Sequence, residues 1–369
     1  MLLALTGCVT ISLVLSLIAT GLARKAGDRL SALDGQGVAG QVKAEARPIP
    51  NTGGIGIALT LVLMLGGVAL AAQFWPTATN EADTLGQLAW GVRENMALLI
   101  AFLAGLVVIH TIGIVDDRKP LPWQPKLLAM VLVPAVVAWI ADTRVLSLLD
   151  SHVGGPWLSV LMTAFWFAVV MNAMNFLDNM DGLAGGLGAI LSAGLLAIAA
   201  INQQWIIGAG AAVLLGACLG FLPHNFPKAR VFMGDGGSLV LGYTLAFLTV
   251  RLNYVDSTLA QSQWHLLFVP LVLLAIPLYD FASVVVLRLM QGKSPFVGDL
   301  QHFSHRMARR GLGRRGSVVS IWVLAAITGA GAVVMSRSEP WQAALIAGQT
   351  LAVLGLIAYL ERGVPEQAS

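Results

Sequence analysis

Long apolar runs separated by short polar breaks extend along the whole chain. Most of these runs are as long as a helix that crosses a bilayer core, which needs about 20 residues. Eleven are predicted, near residues 2–23, 53–74, 94–115, 126–141, 157–177, 183–201, 204–222, 237–251, 265–289, 317–336 and 341–360. The pattern predicts an all-α fold, a polytopic membrane helical bundle, in which residues 1–369 form a single integral-membrane domain.

Two of the runs differ from a plain spanning helix. No basic residue precedes the first run, and Arg24 and Lys25 follow it, so we expect a membrane helix rather than a secretory signal peptide. The ninth run contains Pro277 and Asp280. Because proline removes a helical hydrogen bond, we expect a broken or tilted helix there.

The composition also indicates a membrane protein. Of the residues, 57% are apolar and 11% are charged, whereas soluble domains carry about 25% charged residues. The formal net charge of +3 is too small to indicate a nucleic-acid partner. Cys8 and Cys218 lie in apolar runs, and we expect small buried hydrophobic side chains rather than a disulfide or a metal site.

The distribution of basic residues predicts the orientation. Most of the 22 Lys and Arg residues follow odd-numbered runs, and the opposite side holds Arg93, Arg144, Arg251 and Arg337. The positive-inside rule then places the N-terminus outside and the C-terminus in the cytoplasm. All the polar clusters fall in the predicted cytoplasmic loops, near 24–52, 116–125, 178–183, 223–236 and 290–316, so we expect these loops to form one active site.

The first cluster is the pair Asp116 and Asp117 at the end of the third run. Adjacent carboxylates at a membrane boundary repel each other, so the pair is favoured if it shares a cation or a basic partner. The alternative is a solvated helix end neutralised by Arg118 and Lys119. His110, inside the same run, is expected to be a core histidine rather than a catalyst.

The second cluster joins the fifth and sixth runs and contains two amides and two acids, Asn172, Asn175, Asp178 and Asp181. Steps of three place the first three side chains along one side of the helix end. So many polar groups in a tight link between apolar helices are costly unless they bind something. Amides both donate and accept, which suits a nucleotide, whereas a capped turn would need fewer polar residues.

The third cluster is a glycine-rich turn with Gly234, Asp235 and Ser238 at the start of the eighth run. Glycines at a helix N-terminus expose backbone N–H groups to an anion. An acid among them can hold a divalent metal beside a bound phosphate, although such turns also serve as ordinary helix starts.

The fourth cluster lies in the last long loop. His302 and His305 would face one way on a helix, and Arg306 beside them favours a phosphate-binding role. Zinc is disfavoured because thiols are absent from this loop, and an inert basic loop is the other alternative. The first loop adds Lys43 and Arg47, which also fit an ordinary positive-inside loop.

In order and spacing, these clusters resemble the polyprenyl-phosphate N-acetylhexosamine-1-phosphate transferases. That family shares an Asp-Asp pair, an NxxNxxDGxDGL segment, a GDxGS turn and a histidine-bearing last loop, and the resemblance runs from Arg47 to about Gly311. It implies a membrane helical bundle, Mg²⁺ dependence (with Mn²⁺ as a substitute), and a UDP-N-acetylhexosamine donor that releases UMP. The implied acceptor is undecaprenyl phosphate, with membrane lipid as a partner and a homodimer as one arrangement.

The resemblance implies roles position by position. Asp116, Asp117, Asp178 and Asp181 are implied as catalytic residues, and Asp235 as a metal ligand with Asp178 and Asp117. Substrate binding is predicted for Lys43, Arg47, Asn172, Asn175, Gly234, Ser238, Asp280, His302, His305 and Arg306.

The chain departs from the family pattern at three positions. Asn179 stands where the family usually has glycine, and Glu45 where many members have histidine. Ser304 stands where the branch acting on GlcNAc and GalNAc usually has another histidine. The run 293–296 followed by 299–302 is nevertheless closer to the UDP-GlcNAc branch than to the muramoyl-pentapeptide branch.

The sequence therefore predicts transfer of N-acetylhexosamine 1-phosphate, GlcNAc 1-phosphate first among them, from a UDP-sugar to undecaprenyl phosphate. The product would initiate a cell-envelope polysaccharide at the cytoplasmic face of a bacterial inner membrane. The lipid phosphate would attack directly or through an aspartyl intermediate, with Asp116 or Asp117 as a base or as a positioning group. The alternatives are a phospho-N-acetylmuramoyl-pentapeptide transferase and an ion-coupled transporter.

Overall fold

The computed structural model describes residues 1–30, 48–76, 84–147, 150–253, 263–294 and 301–361. These residues fold into helices and form no strand. In chain order the helices are α1 Leu2–Arg29, α2 Gly53–Phe74, α3 Thr84–Glu94, α4 Met96–Arg118, α5 Trp123–Ile140, α6 Asp150–Val153, α7 Trp157–Phe176, α8 Leu183–Ile201, α9 Trp205–Asn225, α10 Asp235–Arg251, α11 Val269–Leu273, α12 Ala275–Met290, α13 Phe303–Met307, α14 Gly313–Met335 and α15 Pro340–Glu361.

The helices confirm the predicted membrane bundle. Within the described residues, nine helices are long and apolar enough to cross a membrane, counting Phe303–Met335 as one. A bent pair, Trp264–Leu273 and Ala275–Met290, makes a tenth span. The remaining predicted run is α10, which has 17 residues.

The predicted break in the ninth run is confirmed. The two parts of this span meet at an angle of 72°, and Leu274 lies between them. Pro277 sits in the first turn of α12 and has no N–H to bond the carbonyl four residues earlier, that of Leu273. The helix therefore breaks where the hydrogen bond of the proline is missing.

Two elements differ from the sequence-based prediction. Helix α1 continues to Arg29, so Arg24 and Lys25 lie on a helix rather than in a loop beginning at residue 24. Helix α3 was not predicted, because it is short and amphipathic and gives no continuous apolar run. Its Ala89 and Val92 are buried, and its opposite side is exposed.

Helix α10 lies at the centre of the bundle and is buried from Gly236 to Thr249. It packs against α2, α4, α7, α8 and α9. A Cβ added to Gly113 of α4 would lie 2.5 Å from the backbone nitrogen of Gly236, so these two backbones are in direct contact. This close approach brings the acidic end of α4 onto the first turn of α10. Both cysteines are free, and Cys218 is buried in this core.

Candidate active site

Asp117, in the last turn of α4, caps the N-terminus of α10. Its Oδ1 accepts hydrogen bonds from the backbone N–H of Asp235 at 2.8 Å and from Asn51 Nδ2 at 2.8 Å. Its Oδ2 accepts the N–H of Gly236 at 3.0 Å. A carboxylate at the positive end of a helix is stabilised by these exposed N–H groups. Asp117 therefore fixes the geometry of the glycine-rich turn, a contact that joins the first and third predicted clusters.

Lys126, in the first turn of α5, joins Asp116 to Asp235. Its Nζ lies 2.9 Å from Asp116 Oδ2 and also contacts Asp235 Oδ2. The other oxygen of Asp116 accepts the N–H of Leu121 at 2.7 Å. From the sequence, Lys126 was only one of the basic residues that predict the orientation. The available signal was a lone lysine at the start of an apolar run, where a charge needs a partner.

Asn175 of α7 reaches the same acid cluster, and Asn172 does not. Asn175 Nδ2 donates to Asp235 Oδ1 at 2.8 Å and to Ser238 Oγ at 2.9 Å. Asn172 Nδ2 instead donates to the carbonyl of Ala168 in its own helix, at 2.8 Å. A step of three residues leaves the two side chains about 60° apart around the helix axis, so they share a side of α7 but bond different partners. The role predicted for Asn172 in substrate binding stays a prediction.

Asp178, in the turn between α7 and α8, faces the other acids. The backbone N–H of Gly234 lies near enough to favour its charged form. Burial raises the pKa of Asp178 well above its usual range, and the neighbouring carboxylates of Asp235 and Asp117 raise it further. Negative charge at Asp178 is thus disfavoured by burial and by the neighbouring acids.

The turn that carries Asp181 is tied to the segment that precedes α10. Asp181 Oδ2 accepts the N–H of Ala229 at 3.0 Å. Next to it, the N–H of Gly182 donates to Asn225 Oδ1 at 2.7 Å, and Asn225 Nδ2 donates to the carbonyl of Val231 at 2.9 Å. Asn225 was not predicted. It is a buried amide at the end of an apolar run, which was the available sign of a structural polar contact.

Asp280 of α12 anchors the start of the histidine helix α13. It is fully buried, with 0% of its surface exposed. One carboxylate oxygen lies 3.0 Å from His302 Nδ1, and the other accepts the N–H of Phe303 at 2.6 Å. The edge of the His302 ring packs against Phe176, with the ring centroids 5.2 Å apart. In this structure Asp280 therefore acts on His302, and its predicted contact with substrate stays a prediction.

Replacing Asp280 by alanine is expected to destabilise the protein by about 2–4 kcal/mol, because it leaves two buried groups of α13 without an acceptor. Thermal unfolding in detergent measures this as a lower Tm. Asp28→Ala, at an exposed position of α1, is the control and should shift the Tm little. An unchanged Tm for Asp280→Ala would show that this carboxylate does not hold α13.

Arg306 points away from the acid cluster. Its Nη2 lies 2.9 Å from Ser283 Oγ and 3.0 Å from Glu361 Oε2, near the end of α15. Tyr279 OH donates to the same Glu361 oxygen at 2.8 Å. The guanidinium thus links α13 to α12 and α15, so a role in substrate binding would require it to exchange these partners.

His305 is placed differently from its neighbours on α13. Its imidazole forms no hydrogen bond with any residue that the structure describes, and its ring centroid lies 6.5 Å from that of His302. Arg309 and Arg314 lie close enough to act on its charge. A ring among cations is suited to an anion, and the phosphate-binding role of His305 stays a prediction.

Lys43 and Arg47 lie outside the described residues. His110 Nδ1 lies 2.8 Å from the carbonyl of Gly236, a satisfied contact within the bundle. Arg288 is 1% exposed and lies 5.2 Å from the ring centroid of Phe176, a cation–π contact not expected from the sequence.

The acids lie at one end of the bundle and a large cavity lies at the other. The cavity has a volume of about 910 Å³, and its lining includes Asn95, Arg251 and Arg337. None of the clustered acids lines it. The acid cluster is therefore a separate, half-buried site formed by the ends of α4, α5, α7 and α10.

The donor chemistry of the acid cluster suits a hard divalent cation, since Mg²⁺ prefers carboxylate oxygens. Asp117, Asp178 and Asp235 lie close enough for their charges to interact. In the part of the chain that the structure describes, no three His, Cys, Asp or Glu side chains converge as a ready metal site. Lys126 instead occupies one oxygen of Asp235. The carboxylates thus fit such an ion by chemistry, and binding would require them to rearrange.

Comparison with known proteins places the chain in a family. Residues 99–253 match the family described as glycosyl transferase family 4, and this range includes all the clustered acids. A decaprenyl-phosphate N-acetylglucosaminephosphotransferase of Mycobacterium tuberculosis is 32% identical over 382 residues, covering 95% of this chain and 88% of that protein. Its counterpart in Mycolicibacterium smegmatis is 32% identical over 349 residues, covering 86% and 80%. An undecaprenyl-phosphate alpha-N-acetylglucosaminyl 1-phosphate transferase of Escherichia coli O157:H7 is 28% identical over 274 residues, covering 71% of each chain. Since the similarity extends along nearly the whole chain, the protein belongs to glycosyl transferase family 4.

Proposed function

We propose that the protein transfers N-acetylglucosamine 1-phosphate from UDP-GlcNAc to a polyprenyl phosphate and releases UMP. The observation that carries the proposal is the acid cluster at the N-terminus of α10, in a chain whose relatives are named for this reaction. A helix N-terminus with a glycine-rich turn is suited to phosphate, and flanking carboxylates are suited to a metal that neutralises it.

The reaction joins two anions, so alignment and charge neutralisation dominate its catalysis. An oxygen of the lipid phosphate forms a bond to the sugar-bearing phosphorus, and the bond from that phosphorus to UMP breaks. We assign the attack to the lipid phosphate itself, because a phosphate monoester with a second pKa near 6 is mostly ionised at neutral pH. Both oxygens of Asp117 already accept backbone N–H groups, which favours a positioning role over a nucleophilic one.

Mg²⁺ is the proposed cofactor, with Mn²⁺ as a substitute. Asp117, Asp178 and Asp235 would hold it, and it would supply positive charge to the pyrophosphate. Lys126 keeps Asp116 and Asp235 together. His305 is assigned to the donor, because its ring lies among arginines.

The proposed setting is the inner membrane of a bacterium, with the acid cluster at the cytoplasmic face. The basic residues of the loops support this orientation. An ion-coupled transporter is disfavoured, because transporters usually hold their sites near the bilayer midplane and these acids lie at helix ends. A muramoyl-pentapeptide donor is disfavoured by the names of the relatives, which specify N-acetylglucosamine. A homodimer stays a prediction.

The experiment that tests the function is UMP release by purified protein given UDP-GlcNAc and undecaprenyl phosphate. We expect release with Mg²⁺ and loss of at least 100-fold with a chelator, because the charge of the pyrophosphate is then uncompensated. Release only with another UDP-sugar would correct the donor. Absence of release with every UDP-sugar, from protein with a cooperative unfolding transition, would contradict the assigned reaction. Labelled protein trapped in a single turnover would contradict direct attack.

A further inference from the structure

Asn179 and Ser304 are 125 positions apart in the chain and are hydrogen-bonded in the structure. Ser304 Oγ donates to Asn179 Oδ1 at 2.6 Å. These are two of the three positions at which the sequence departs from the family pattern, one on the acid turn and one on the histidine helix. Sequence reasoning treated them as separate departures, whereas the fold makes them partners.

Asn179 uses both ends of its amide. Its Nδ2 donates to the carbonyl of Phe176 at 2.6 Å, which closes the C-terminal end of α7. Its Oδ1 receives the hydroxyl of Ser304, which is fully buried. The backbone φ of Asn179 is not positive, so this turn does not require glycine there. The positive φ lies at Gly182 instead, at 81°.

The other anchors of α13 lead elsewhere. Asp280 ties its first residues to α12, and Arg306 ties it to α12 and α15. Among the described residues, the bond between Asn179 and Ser304 is the side-chain hydrogen bond that joins α13 to the turn carrying Asp178. Ser304 also lies between His302 and His305 in the sequence, so a shift of its Cα moves both rings.

We propose that Asn179 and Ser304 are a positioning pair that sets the distance between the histidine helix and the acid turn. The inference rests on the proposed function, in which His305 and the acid cluster bind the same UDP-sugar. That donor must then contact α13 and the acid turn at once. The pair touches neither the reacting phosphorus nor the lipid. It acts through the placement of His305 and Asp178, and its effect is specific to the donor.

A double-mutant cycle tests the pair in the full-length protein. Ser304→Ala and Asn179→Ala are each expected to lower kcat/KM for UDP-GlcNAc by about 5- to 20-fold, the range of one buried hydrogen bond. The double variant should be no worse than the worse single variant, because both substitutions remove the same bond. The KM for undecaprenyl phosphate should not change. Losses that multiply, or a raised KM for undecaprenyl phosphate, would show that Asn179 and Ser304 do not act as a donor-specific pair.

A reciprocal exchange gives a sharper result. The site of Ser304 is fully buried, so Ser304→His alone forces an imidazole against the Asn179 amide. Overpacking of this kind is expected to lower kcat/KM by about 10- to 100-fold. The double change Asn179→Gly with Ser304→His removes the obstructing amide and should recover about 10-fold of that loss. If the kcat/KM of the double variant is no higher than that of Ser304→His, the side chains at positions 179 and 304 do not contact each other.

Hydrogen exchange tests the pair without turnover, so it separates a failed pair from a failed function. Ser304→Ala should speed amide exchange in residues 177–182 as well as in 302–307, because the bond restrains both segments. Ser317→Ala is the matched control: Ser317 is also fully buried, and its hydroxyl bonds only within α14, to Gly313 at 2.8 Å. It should leave both segments unchanged. Faster exchange confined to 302–307 would overturn the inference even if UMP release were normal.

Discussion

Replacing Asp117 by asparagine is expected to lower UMP release by about 1,000-fold. The carboxylate accepts three hydrogen bonds, from Asn51 Nδ2 and from the N–H groups of Asp235 and Gly236. An asparagine offers one oxygen, and its NH₂ must face an N–H donor in either orientation. Losing one or two charge-assisted bonds, with the NH₂ facing an N–H donor, costs about 4 kcal/mol. The same increase in the activation free energy lowers the rate about 1,000-fold.

The measurement is the initial rate of UMP release at saturating donor and lipid. Asp142→Asn is the matched control, since it makes the same chemical change on a side chain that is 82% exposed at the other end of the bundle. It should keep the wild-type rate. If Asp117→Asn retained more than a tenth of the wild-type rate, the cap on α10 would not be essential and the assignment of Asp117 would be wrong.

Gly234→Ala is expected to lower UMP release by about 100-fold and to lower the Tm. The φ of Gly234 is 69° and its ψ is 174°, a region of the backbone map that is essentially restricted to glycine and that costs an alanine about 1–3 kcal/mol. A Cβ there would also lie 2.5 Å from Asp117 Oδ2 and closer still to Asn51 Oδ1. These oxygens belong to the residues that fix the turn. The methyl group would therefore push the cap off α10 in addition to straining the backbone.

A second glycine separates the two effects. Gly154 has a φ of 77°, and no heavy atom lies within 4 Å of an added Cβ. Gly154→Ala therefore carries the strain of a positive φ without a collision. We expect a modest fall in Tm with normal UMP release. Equal losses of activity in the two variants would show that the collision with Asp117 and Asn51 does not matter.

Much of the fold could be predicted from local patterns in the sequence. Apolar runs of spanning length predicted the long helices, because bilayer thickness and helix rise fix that length. Pro277 predicted the broken span, since the missing N–H is a property of the residue itself. The amphipathic α3 was missed because hydrophobicity averaged along a window does not detect one apolar face.

The sequence predicted which residues form the candidate site, but it did not predict most of the contacts between them. Asp117, Asp178 and Asp235 were predicted to lie together, and their charges do interact in the structure. Lys126 was missed as their counterion, because an ion pair between separate helices leaves no spacing signal in the chain. The contact of Arg306 with Glu361 could not be predicted either, because only the packing of the bundle brings the end of α15 next to α13.

The sequence by itself determined that this is a helical membrane protein of a transferase family, and it predicted that the polar clusters lie on one side of the membrane. Composition, helix length and motif order can be determined from the sequence without knowledge of the fold. Only the tertiary structure decided the partner of each polar group: that Asp117 caps α10, that Asp280 holds His302, and that Asn179 meets Ser304. Such pairings depend on how helices distant in sequence pack together, and close contacts such as that of Gly113 with α10 set their distances.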